Sequence, residues 1–264
     1  MLSIASRASR SLAAVAAAPL LAAIFSATLP AQEPQSAPVV LFVRPLVVTP
    51  GEMVTLDIRG QHLQNTKQVQ LRSGDFSQDL PVKKQEEAKP PDRVAPNLHG
   101  DYRVEAELKL PDDFAADQFE LTIECDKGKT APLSVRVLKT DQLLKEVEPN
   151  DGFRQSQAME LGKFIVASIH RQHDVDVFRI ELKAGQKYKV DVEAAARGSV
   201  ADLQLQLFSE NGALLATSDD RSATSRDPEL TFSPTSDGPI LISLIDATDR
   251  GSDLHPYLLR VTPQ

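Results

Sequence analysis

The 264-residue chain carries 29 lysines and arginines against 37 aspartates and glutamates, a formal net charge of −8. Such a chain repels a phosphate backbone, which excludes nucleic acid as a partner class and leaves divalent cations compatible. Cys125 is the only cysteine, so no intramolecular disulfide can form and stability must come from a hydrophobic core.

Residues 1–31 contain Arg7 and Arg10, then an apolar or small-residue run from Leu12 to Phe25 that includes Pro19, then Ser26-Ala27-Thr28-Leu29-Pro30-Ala31. A basic start, a short apolar centre and a small-residue exit predict a secretory signal peptide cleaved after Ala31. The run is shorter than the ~20 residues of a spanning helix, and no later stretch is apolar enough for one. The mature chain is therefore expected to be secreted, periplasmic or at the cell surface. It keeps 27 basic residues (29 − 2, for Arg7 and Arg10) against the same 37 acidic ones. Residues 32–37 read as a polar, proline-containing spacer.

From 38 to 139 the pattern is short strands and turns. VTLDIRG alternates Val54, Leu56 and Ile58 against Thr55, Asp57 and Arg59, with turn signals on both sides. KQVQLRS, DYRVEAELKL, DQFELTIEC and APLSVRVL complete the strand set, and the period from Phe119 places Cys125 on the apolar face as a structural thiol. Residues 83–99, charged and proline-rich, predict a flexible loop within the domain.

From 140 to 264 strands are expected at KFIVASI, DVFRIEL, KYKVDVEA, LQLQLFS, LTFSP, ILISLID and YLLRVT. Turns with Ala-Gly, Arg-Gly, Asn-Gly and Asp-Gly pairs separate them, and FRQSQAME reads as a short helix. The fold class is all-β: an immunoglobulin-like sandwich followed by a jelly-roll sandwich.

The junction carries KEVEPNDGF. Extended chain puts Glu146, Glu148 and Asn150 on one face, and the Asn150-Asp151-Gly152 turn brings Asp151 around. HDVDVF adds Asp174 and Asp176 on one face of a later strand. Such carboxylates repel one another unless they are solvated or share a hard cation, and a set of oxygen donors suits Ca²⁺. A solvated acidic linker is the alternative.

The stretches EVEPNDGF and HDVDVFRIELKAGQKYKVDV resemble the bacterial pre-peptidase C-terminal (PPC) domain. That family's pattern is E-x-E-P-N-D, a small helix, then an x-D-x-D-x-F strand. VADLQLQLFSENGALLATSDD, SDGPILISL and PYLLRV continue the resemblance, which covers roughly 144–262. It implies a non-catalytic jelly roll of exported proteins, often beside peptidases. It also implies calcium held by the acidic positions, here Glu146, Glu148, Asn150, Asp151, Asp174 and Asp176; His173 and Ser168 depart from the pattern. More weakly, PLVVTPGEMVTLDIRGQHLQNTKQVQL resembles the start of an IPT/TIG immunoglobulin-like domain, through Pro45, Gly51, Val54, Leu56, Gly60 and Leu63.

His170 and His173 face opposite sides of an extended segment and no HExxH helix is present, which argues against zinc. No G-x-S-x-G elbow, P-loop or G-x-G-x-x-G stands in the chain. The expected function is non-catalytic binding or spacing, with an extracellular protein or peptidase as partner. The alternatives are an accessory or chaperone-like partner of an exported peptidase, and a hydrolase with an unrecognised site.

Overall fold

The computed structural model describes residues 36–89 and 94–264. The signal peptide read over 1–31 and most of the spacer lie outside the described residues. Alternating apolar residues build four sheets, stacked in pairs as two β-sandwiches. In the first sandwich one sheet runs β1 (Val39–Arg44), β3 (Met53–Gln61), β7 (Tyr102–Lys109) and β6 (Val82–Glu87). The facing sheet runs β2 (Val47–Val48), β10 (Leu133–Val137), β8 (Gln118–Cys125), β4 (Gln68–Ser73) and β5 (Phe76–Leu80), and β9 (Gly128–Lys129) pairs with β8. Leu56, Ile58, Val104, Leu108, Leu121 and Ile123 meet in its core, and Cys125 is buried as expected.

In the second sandwich one sheet runs β11 (Leu143–Lys145), β13 (Phe164–Ser168), β20 (Pro256–Pro263), β15 (Tyr188–Glu193) and β18 (Glu229–Phe232). Its partner runs β12 (Gln157–Ala158), β14 (Asp176–Leu182), β19 (Gly238–Asp246), β16 (Leu203–Ser209) and β17 (Leu214–Ser218). Ile165, Phe178, Val190, Leu205, Ile242 and Tyr257 lie between them. The all-β expectation is borne out. Among the described residues, no helix is long and apolar enough to cross a membrane.

Two local expectations are corrected. The helix expected over FRQSQAME is absent: the Gln155 N–H donates to the Gly152 carbonyl at 2.9 Å in a turn, and Gln157–Ala158 forms β12. The Gln157 amide bridges the backbone, donating to the Lys145 carbonyl at 2.9 Å and accepting the Val147 N–H at 2.8 Å. Eight residues without an apolar stripe cannot sustain a helix against those bonds. The flexible loop expected over 83–99 is in part strand β6, paired with β7, followed later by one helical turn, α1 (Pro96–His99). Its lysines and glutamates suit an edge strand, where charge discourages further pairing, and Lys83 meets Glu107 at 2.8 Å.

The sandwiches are joined by an apolar seam and by ion pairs. Phe42, Leu46, Val47 and Leu138 pack with Phe164, Leu254 and Leu258. Arg136 donates to both Glu193 oxygens, at 2.8 and 3.0 Å, and its guanidinium lies 5.0 Å from the Phe164 ring centroid. Lysine cannot reproduce both contacts. Arg136→Lys is therefore expected to cost about 1 kcal/mol in urea denaturation, with the unfolding slope unchanged.

Candidate metal centre

The chain leaving β11 is tied to the sheets on either side. The Glu146 N–H donates to the Val166 carbonyl at 3.1 Å, continuing the β11–β13 pairing. Four residues later the Asn150 carbonyl accepts the Val177 N–H at 3.0 Å, which fixes the segment beside the start of β14. Glu148 closes the turn between them by accepting the Asn150 N–H at 3.0 Å. These bonds bring together residues far apart in sequence: oxygens of Glu148, Asp174 and Asp176 lie within 4.8 Å of one another.

Asn150 and Asp176 are fully buried and Asp174 is nearly so. Asn150 donates its side-chain amide to Glu146 at 3.1 Å, and Asp176 accepts the Tyr257 hydroxyl at 2.5 Å. Asp174 accepts the His170 N–H at 2.6 Å. Each keeps one buried oxygen, Oδ1 of Asn150, Asp174 and Asp176, with no hydrogen-bond partner among the described residues. Buried acceptors are rarely left so, because desolvation goes uncompensated. Burial, then the charge of Glu146, pushes the Asp176 carboxyl up to about 9. Burial also raises Glu146, against the opposing pull of the Ser168 N–H and the Asn150 amide.

The six residues read from the sequence do not all converge. Asp151 turns outward and pairs with Arg171 at 2.8 Å. Glu146 lies in a second grouping, with Glu148 and His170, and its Oε2 is 3.1 Å from His170 Nε2. His173 faces away and pairs with Asp249 at 2.6 Å. Three participants were not singled out as site residues. Tyr257 belongs to the core of the second sandwich, and its buried hydroxyl needs a partner, which Asp176 supplies. Arg171 sits 3.4 Å from Asp174 and offsets part of the acidic charge. Ser168, noted only as a departure, donates its backbone N–H to Glu146 at 3.0 Å. The Glu148, Asp174 and Asp176 oxygens are hard and lie close together, with the buried Asn150 amide on the same segment as Glu148, and they fit an oxygen-preferring dication.

The architecture is thus a pair of β-sandwiches with a carboxylate centre at the entry to the second. Residues 174–244 match the family model of the bacterial pre-peptidase C-terminal domain, the stretch that holds Asp174 and Asp176 and runs into β19. Similar solved structures include the pre-peptidase C-terminal domain of a Bacillus anthracis collagenase, at 15% identity over 40% of this chain and 93% of that chain, TM-score 0.33. Another is SGBP-B of the Bacteroides ovatus mixed-linkage glucan utilization locus in complex with a mixed-linkage heptasaccharide, at 10% identity over 81% of this chain and 71% of that chain, TM-score 0.25. A third holds CBM51-2 and INT domains of Clostridium perfringens ZmpB with GlcNAc, at 10% identity over 82% of this chain and 46% of that chain, TM-score 0.29. No curated protein matches the chain.

Proposed function

We propose that the chain is an exported, non-catalytic binding or spacing protein whose second sandwich is stabilised by calcium. Glu148, Asp174 and Asp176, with the Asn150 amide oxygen, would hold the ion, and Glu146 would support them. The observation that carries this reading is the grouping of Glu148, Asp174 and Asp176 oxygens within 4.8 Å of one another, with Asp176 Oδ1 and the neighbouring Asn150 Oδ1 buried without a hydrogen-bond partner among the described residues and Asp174 Oδ1 met only by Arg171 at 3.4 Å. Calcium accepts about six to eight oxygens in flexible geometry, so protein donors and water together can complete its shell; Mg²⁺ demands a stricter octahedron. The matched family and the basic, apolar leader of the sequence support export.

The non-catalytic reading draws support from a serine–histidine contact. Ser252 Oγ lies 2.8 Å from His255 Nδ1, but the same hydroxyl accepts the Leu254 N–H, a local turn. The His255 ring is buried and, among the described residues, its Nε2 has no hydrogen-bond partner, so none of them orients it as a general base. Titration calorimetry tests the calcium reading. Ca²⁺ is expected to bind at one site more tightly than Mg²⁺, and Glu148→Gln should weaken binding about tenfold or more. Equal, weak heats for both ions in wild-type protein would refute it.

A further inference from the structure

A groove of about 680 Å³ runs between the two sandwiches and reaches the acidic centre. That volume falls in the ~300–1,000 Å³ range of small-molecule sites. Leu46, Val47 and Val48 also line it, but they are buried and present almost no surface. The apolar wall that a ligand can touch is formed by Met53 and Val54 of β3, Leu143 of β11 and Val166 of β13. Met53 is 66% exposed and the other three are half-buried. No aromatic ring is among the described residues that line the groove, so it offers no stacking surface to a sugar or a nucleobase.

The charges that line the groove favour a cation. Glu146, Glu148 and His170 lie together at one end, and the exposed Glu52 also faces the groove. Arg44 is neutralised by Asp57 and Asp253. Lys145 is exposed and can lay its aliphatic stem along the wall while its ammonium stays in water. With Asp174 and Asp176 grouped beside Glu148, the acidic end stays negative even with a dication bound. A fatty carboxylate would be repelled there, and a small hydrophilic cation would leave the aliphatic wall in water. A ligand with an aliphatic chain and a cationic head satisfies both surfaces. The apolar seam holds both walls in place, so little ordering is required on binding.

We propose that this groove binds a small amphipathic cation, a molecule with an unbranched aliphatic chain and an ammonium head. The chain rests against Met53, Val54, Leu143 and Val166, and the ammonium sits at the Glu146–Glu148 end. The inference rests on the reading of the chain as a binding protein and names its ligand class.

Titration calorimetry on the full mature chain in calcium tests it, with hexylamine, octylamine, decylamine and decanoate as probes. An open groove buries only part of each methylene, so each lengthening by two carbons should tighten amine binding about fourfold. Decanoate should bind about tenfold more weakly than decylamine, because its head carries the wrong charge. Met53→Lys, at an exposed groove residue, should weaken decylamine roughly threefold. Leu214→Lys removes an equally exposed apolar side chain that does not line the groove, and it should change nothing. No binding, affinity independent of chain length, decanoate as tight as decylamine, or equal loss in the two variants overturns the inference. So does a lysine-rich peptide that binds where the amines do not, since the acidic end would then serve a protein partner. Calcium melting of the same samples separates the failures. A retained calcium response without amine binding sinks the ligand assignment alone, and loss of both sinks the calcium-stabilised module as well.

Discussion

Calcium added to chelator-stripped protein is expected to raise the melting temperature, strongly at alkaline pH and scarcely near pH 5. An ion that binds only the folded form stabilises it by about 2.7 kcal/mol at a hundredfold excess over Kd, or roughly 5–10 °C for a chain of this size. The pH dependence follows from Asp176, whose carboxyl burial and Glu146 push up to about 9. A carboxyl raised in the folded state contributes stability that is fully present below its unfolded value, about 4, and is lost as pH rises through about 9. The stripped protein therefore weakens across the neutral range. Calcium requires the ionised carboxylate, so its benefit grows over the same window as protons cease to compete. Melting curves with and without calcium should converge near pH 5 and diverge toward pH 9. Asp176→Asn sharpens the test, because the amide oxygen can still accept from Tyr257 while the buried charge is gone. In chelator this variant is expected to be about 1–3 kcal/mol more stable than wild type, and in calcium it should gain almost nothing. Parallel pH profiles for wild type with and without calcium would contradict the assignment.

Much of this arrangement was legible in the sequence, for a physical reason. The side-chain period of a strand is two, and DVFRIEL and LQLQLFS became β14 and β16 with the bounds their alternation marks. The two acidic segments announced themselves because charge beside an apolar strand needs a reason. What the sequence could not show was which of the donors turn inward. Asp151 and Asn150 are adjacent, yet Asn150 is fully buried and Asp151 pairs with Arg171 in solvent. That choice is made by the Asn150 carbonyl bond to Val177, a contact between segments. The FRQSQAME error has a similar origin. Local composition allowed a helix, but the Gln157 amide found backbone partners ten and twelve residues earlier. Likewise, charge on residues 83–87 resembles disorder when read alone, and an edge strand when β7 lies beside it.

Asp57 shows the same limit with a larger expected consequence. Alternation puts it on the outer face of β3 with Thr55 and Arg59, and the structure buries it there to 5% exposure. Cross-strand register explains this: Arg44 of β1 stands directly opposite, and Arg103 of β7 is a diagonal neighbour. Asp57 accepts from Arg44 at 2.9 Å and from Arg103 at 2.6 Å, and Arg59 approaches to 3.8 Å. Arg44 also reaches Asp253 at 2.6 Å, so this carboxylate anchors a link between the sandwiches. Asp57→Ala is expected to cost about 3–5 kcal/mol, because it leaves clustered guanidiniums without their shared counter-charge. Arg59 suffers most: it is the least exposed of the three, and its Nε and Nη1 already lack hydrogen-bond partners among the described residues. Its relief supplies the internal control. The double variant Asp57→Ala with Arg59→Met should recover about 1–2 kcal/mol of the loss, since it withdraws the most buried of the stranded charges and fills the space with an unbranched apolar chain. Urea denaturation of the two single variants and the pair measures that coupling. Strict additivity would mean that the cost of Asp57→Ala arises from lost packing and that charge on the outer face of β3 plays no part.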